Sequence, residues 1–129
     1  MAIPSGSGTE VLCRGSFENQ SNSASAHIWA SPYRATVGTN SATVPANTII
    51  TMLTIIACET AGASAGETLS ISMNDGTGLI EICYAVIPAS GTFVFNDKFV
   101  LYPGDKLSMN LTNAGNVDIL TTFIKQDWS

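Results

Sequence analysis

Groups that titrate, attack or ligate are scarce in this chain: ten acids, five bases, three cysteines and one histidine. His27 would have to serve as the base of any serine–histidine–aspartate triad, and a lone imidazole excludes a histidine-based metal cluster. The one GxSxG string, Gly62-Ala63-Ser64-Ala65-Gly66, falls in a small-residue loop with no predicted helix after it, not in the strand-to-helix elbow that exposes a nucleophile, so His27 reads as a surface or partly buried imidazole. Asn74-Asp75-Gly76-Thr77-Gly78 offers oxygens that suit calcium, but the further acids and the closing Glu of an EF-hand loop are absent, and a hairpin turn is predicted instead. Asp97 and Asp105 are carboxylates whose pairing would suit glycoside hydrolysis. Each lies in a turn, however, where Asp bonds the local backbone and needs no catalytic reason to be there. Cys13, Cys58 and Cys83 are odd in number and show no CxxC spacing; Cys58 and Cys83 fall in apolar runs and are predicted to be reduced, small buried hydrophobes. The sequence therefore predicts no catalytic residue, no metal ligand set and no cofactor.

Contact, rather than reaction, is the chemistry that remains. Trp29, Tyr33 and Trp128 combine large area with a polar handle, which suits either a sugar platform or anchors at a subunit contact; the position of Trp128 near the end of the chain favours a neighbour. Residues 1–8 are small, with Ile3-Pro4 as the one apolar anchor of fixed φ, and are predicted to be an extended arm that reaches a neighbouring subunit. The net charge of −5 carries no basic cluster to neutralise successive phosphates, so nucleic acid is not an expected partner. Charged residues are only 12% of the chain against 45% apolar, which predicts that another subunit covers part of the surface. No basic segment followed by an apolar one opens the chain, and no apolar run approaches the about 18 residues of a membrane helix. A soluble product assembled in a reducing cytoplasm, without a membrane partner, is the expectation.

The elements that must position these residues are strands. Leu107, Met109 and Leu111 alternate with Lys106, Ser108 and Asn110, and Leu69, Ile71 and Met73 alternate with Ser70 and Ser72, so two half-buried strands are predicted to share a core. Leu79 to Ile87 completes a hairpin with the second of these across Asn74–Gly78. Pro103-Gly104-Asp105 predicts a tight turn, and Asn96-Asp97-Lys98 a second turn between Phe93-Val94-Phe95 and Phe99-Val100-Leu101, as in a meander or Greek key. From Thr48 to Cys58, Ile49, Ile50, Met52, Leu53, Ile55 and Ile56 are spaced much as in a helix, but β-branched residues dominate the run and a long strand buried on both faces is predicted. A first strand is predicted within residues 9–17, a loop over Glu18–Ser25, short extended pieces at His27–Ala30 and Tyr33–Val37, and a last strand over Val117–Lys125. The whole predicts an all-β chain: a single antiparallel β-sandwich, jelly-roll-like, of about eight strands over residues 9–129. At 129 residues, such a domain buries roughly two-thirds of its unfolded surface.

Val44–Ala46, Leu69–Met73, Ile87–Ser90, Phe99–Leu107 and Val117–Ile124 resemble, in order and type, a recurring pattern in small virion proteins of tailed bacteriophages. The resemblance spans residues 44–125 and lies in turn and core signatures, so it transfers architecture and no catalytic residue. It implies a non-enzymatic virion subunit, a capsid cement or decoration protein on the outer surface of the head, with the major capsid protein as partner and a homotrimer as its assembly state. Alternatives are a tail, neck or fibre component binding a receptor sugar, and a lectin or hydrolase unrelated to phage.

Overall fold

The computed structural model describes residues 9–20, 34–35, 43–60, 67–111 and 117–128, with residues 9, 17–20, 34, 35, 67 and 110 described by their backbone alone. The nine strands among them are β1 (Thr9–Gln20), β2 (Arg34–Ala35), β3 (Thr48–Glu59), β4 (Glu67–Asn74), β5 (Leu79–Ile87), β6 (Thr92–Phe95), β7 (Phe99–Leu101), β8 (Lys106–Leu111) and β9 (Val117–Asp127). They form a larger sheet in the order β2-β1-β9-β3-β6, with β7 also on β3, and a smaller sheet β5-β4-β8. Every ladder is antiparallel except the two-residue pairing of β2 with β1. The chain passes from the larger sheet to the smaller after β3, returns after β5, leaves again after β7 and returns after β8. The fold is thus the jelly-roll-like β-sandwich that the strand pattern predicts.

Alternation builds the core. Leu69 pairs with Leu111, Ile71 with Met109 and Met73 with Leu107, so the two predicted apolar faces are lateral neighbours in one sheet. All are fully buried but Met73, which packs against the same cluster half-exposed. The larger sheet answers with Ile50, Met52, Ile55 and Ala57 of β3, Leu101 of β7, and Val117, Ile119 and Phe123 of β9. Thr121 lies among them, its hydroxyl accepting from the Gly15 N–H at 3.1 Å.

β3 departs from the predicted pattern for a physical reason. It is buried on one face only: Thr48, Ile50 and Met52 point inward, then Ile55, Ala57 and Glu59. Its register against β9 slips between Met52 and Thr54, so Leu53 is an extra residue that shifts the inward phase by one. That bulge produces the helix-like spacing in the sequence. On the other edge of β3, β6 pairs with Ile55–Cys58 and β7 with Ile50–Met52, both running the same way. Asn96-Asp97-Lys98 is therefore not the predicted reversal but a break in one edge strand, placed beside the bulge.

Two further corrections concern extent. Glu18–Gln20, expected in a loop, continue β1. Cys58, expected to be buried, lies half-buried on the outer side of β3, whereas half-buried Cys13 and Cys83 pack against the core. All three thiols are free.

Candidate functional site

The acids that could do chemistry are tied into turns. Where β7 leaves the larger sheet, Tyr102-Pro103-Gly104-Asp105 closes with the Asp105 N–H donating to the Tyr102 carbonyl at 3.0 Å, and Gly104 takes the φ of +91° that the third position of a type II turn demands. The buried Asp105 carboxylate accepts the Tyr102 N–H at 2.8 Å. Val44, just before β3, holds the turn from outside: its N–H donates to the Asp105 carbonyl and its carbonyl accepts the Gly104 N–H, each at 2.9 Å. Where β5 leaves the smaller sheet, Pro88-Ala89-Ser90-Gly91 repeats the design. The Gly91 N–H donates to the Pro88 carbonyl at 2.8 Å, Ser90 holds a φ of +58°, and the buried Glu59 carboxylate accepts the Ser90 N–H at 2.8 Å. Each of these two crossings between sheets is thus pinned by one buried carboxylate, where an unbonded charge would be costly.

The β4–β5 turn uses its acid in the same way but in water. Asp75 Oδ1 accepts the Thr77 hydroxyl at 2.7 Å and the Thr77 and Gly78 N–H groups at 2.9 and 3.3 Å, and these bonds hold the carboxyl below its ordinary range. Asn74 accepts the Gly76 N–H, and Gly76 takes a φ of +94°. Of the carboxylates imagined as a pair, Asp97 is exposed in the break between β6 and β7, and Asp105 is committed to its turn. Burial, with the Glu81 charge as a lesser cause, pushes the Cys83 thiol up, so it is a poor nucleophile. Among the described residues, no three or more His, Cys, Asp or Glu side chains gather where they would hold a metal ion.

Of the predicted contact residues, Trp128 is half-buried, its N–H donating to the Asn47 carbonyl at 3.1 Å. Ile3, Pro4, Trp29 and Tyr33, the arm over residues 1–8 and His27 lie outside the described residues.

The contact surface that the sequence reading missed is the outer face of the larger sheet. Register places Leu12, Ile124, Thr51 and Val100 side by side in one row across four strands, and Ser16, Leu120, Ile56 and Val94 in another. Between them runs a row of Arg14, Thr122 and Thr54. Leu12 is 69% exposed, Val94 52%, Val100 43% and Leu120 38%. The outward positions of β3, namely Ile49, Thr51, Thr54, Ile56 and Cys58, carry no charge; Glu10 and Arg14 lie on β1 and Asp118 at the start of β9. The outer face of the smaller sheet is different in kind, with Thr68, Ser70 and Ser72 along β4, and Tyr84 and Val86 exposed on β5. There the Ser70 hydroxyl donates to the Glu81 carboxylate.

No family model and no curated protein matches the sequence. Solved structures match the fold. A chain of the acid-stable capsid of Helicobacter pylori bacteriophage KHP30 is 8% identical over 91% of this chain and 86% of its own, with a TM-score of 0.52. A chain of Bacillus endospore appendages, described as disulfide-linked pili, is 14% identical over 100% of this chain and 97% of its own, with a TM-score of 0.51. The globular domain of a zebrafish complement 1qA protein is 8% identical over 87% of this chain and 94% of its own, at 0.48. At such identities the likeness is one of fold.

Proposed function

We propose that this chain is a non-enzymatic structural subunit of a virion, a cement or decoration protein that binds the outer surface of a tailed-bacteriophage head. The observation that carries the reading is how its side chains are allocated. Glu59, Asp75 and Asp105 spend their carboxylates on backbone N–H groups of turns, while Leu12, Leu79, Tyr84, Val86 and Val94 stand exposed on the outer faces, where contact area is what they offer. A cement protein acts by adding such area across joints between shell subunits, so that rupture must break additional interfaces. In this reading the major capsid protein is the partner, the assembly state is a homotrimer, and Ile3, Pro4, Trp29, Tyr33 and Trp128 contribute contacts. The arm of residues 1–8 spans a joint that the sandwich body does not reach.

The test is co-sedimentation of purified protein with heads lacking it, followed by heating of the decorated and bare particles. Saturable binding at a shell stoichiometry and a raised rupture temperature are expected; particles that neither bind it nor gain stability would refute the reading. Deleting residues 1–8 is expected to leave the thermal midpoint of the protein unchanged and weaken attachment. A second reading, subunit of an extracellular filament, is favoured by the full-length match to the pilus chain and by the half-buried position of Cys58 on an outer face. It requires the purified chain to form fibres that a reductant dissolves.

A further inference from the structure

From the outer face of the larger sheet we infer that this face is the interface between copies of the chain, with rows through Leu12–Ile124 and Leu120–Ile56 as its dry centre. The inference deepens the self-association in the reading above and does not depend on attachment to a head.

Size is the first argument. At about 4.8 Å between strands and about 3.4 Å per residue, four strand widths and the stretch of β9 from Asp118 to Gln126 cover roughly 500 Å². Two such faces together withdraw about 1,000 Å² from water, the size at which specific interfaces begin.

Charge is the second. The chain carries ten acids against five bases, so a contact between copies is favoured where it brings no acids together. On this face β3 and the paired parts of β6 and β7 contribute only uncharged outward residues; Glu10 and Asp118 sit at its ends, and Arg14, on β1 between the two rows, is the one charge that its centre borders. An apolar centre inside a charged rim is the anatomy of a protein–protein contact. A nucleic acid or an anionic membrane would need the basic groups that the centre lacks, and a sugar would need ring faces that its described residues do not supply.

The competing apolar surface is narrower. Leu79, Tyr84 and Val86 lie on the outer side of the single strand β5, interrupted by Glu81, while Ile80 pairs with inward-facing Met73; the neighbouring outward positions of β4 are Thr68, Ser70 and Ser72, so the patch is one strand wide. It cannot supply a comparable dry area.

Light scattering after size exclusion, over a micromolar concentration series, decides between these surfaces. Leu120→Lys places an ammonium in the centre of the face, and Leu12→Lys does so at a more exposed position that the fold tolerates more easily; Tyr84→Lys is the matched change on β5. Wild type is expected at a multiple of the subunit mass, with both sheet variants weakening association by at least about tenfold, because a buried unpaired ammonium is costly. Tyr84→Lys should keep the wild-type mass, and far-UV dichroism should report all variants folded. If both sheet variants keep the wild-type mass, or Tyr84→Lys loses it, the face is misassigned while self-association stands. A wild type at one subunit mass throughout would overturn the face and the oligomer together, leaving head attachment to the sedimentation experiment.

Discussion

Asp105→Ala tests whether buried carboxylates hold the crossings between sheets. The substitution removes the acceptor of the Tyr102 N–H at 2.8 Å while leaving the Asp105 backbone bonds to Tyr102 and Val44 in place. A hydrogen bond to a charged group contributes about 1.5–3 kcal/mol, and Tyr102 is 46% exposed, so water recovers part of the loss. The low end, about 1.5 kcal/mol, is therefore expected, and at a urea slope of about 1–3 kcal/mol per molar it appears as a midpoint lowered by roughly 0.5–1.5 M. Asp105→Asn keeps an acceptor oxygen in the same place without the charge and should lose less than half as much. Equilibrium urea unfolding followed by tryptophan fluorescence measures both. A midpoint for Asp105→Ala within about 0.2 M of wild type would refute the pinning argument, since even a neutral hydrogen bond exceeds that. An Asn variant as weak as the Ala variant would show that charge, not acceptor geometry, is what the turn uses.

The other expectations are shorter. Leu107→Ala, at a position with 0% exposure in the core cluster, should cost about 2–5 kcal/mol by chemical denaturation, and a loss under about 1 kcal/mol would contradict its inward placement. Asp75 titrates below its ordinary 3.8, so the ionised carboxylate favours the folded turn; that contribution is complete above the unfolded value and is lost as pH falls through the folded one. The protection of the Thr77 and Gly78 amides against exchange, taken relative to the intrinsic rate at each pH, should fall only in that acid window, and a fall near neutral pH would count against the assignment. Burial holds Cys83 above the ordinary 9.0, so its alkylation by iodoacetamide at mildly alkaline pH should be slower than that of free cysteine, and an equal rate would show an open, ionisable thiol.

Much of this was legible in the sequence where the alternation is strict. Leu69, Ile71 and Met73 opposite Leu107, Met109 and Leu111 need only a period of two, and the Pro103-Gly104 pair announces its own turn. β3 was harder because Leu53 interrupts the period, so inward Ile50 and Met52 and inward Ile55 and Ala57 are out of phase in one strand. The same slip concealed the outer face: Thr51 and Ile56 are both outward although five positions apart, and only pairing with β9 shows it. Asn96-Asp97-Lys98 has turn chemistry, yet a break in an edge strand uses the same residues, and local sequence carries no record of which strand lies alongside. Glu59 follows directly on the apolar run, and nothing local marks it as a turn's acceptor, because Ser90, whose N–H it takes, is 31 positions away.

The place of β9 has a consequence for how the molecule is made. It is the last of the nine described strands in chain order, yet it lies between β1 and β3 and pairs with both along nearly its whole length. Until Val117–Asp127 have left the ribosome, β1 has no long partner in its sheet and β3 exposes an unpaired edge of about a dozen residues. The nascent chain can form the β4–β5 hairpin and its pairing with β8 early, since those contacts are closer in sequence. The larger sheet closes only when synthesis has passed its last strand, joining the first strand to the last in a single late step. A product terminated before Val117 would therefore not be a slightly weakened subunit: it would hold two open strand edges, ready to pair with those of another unfinished chain.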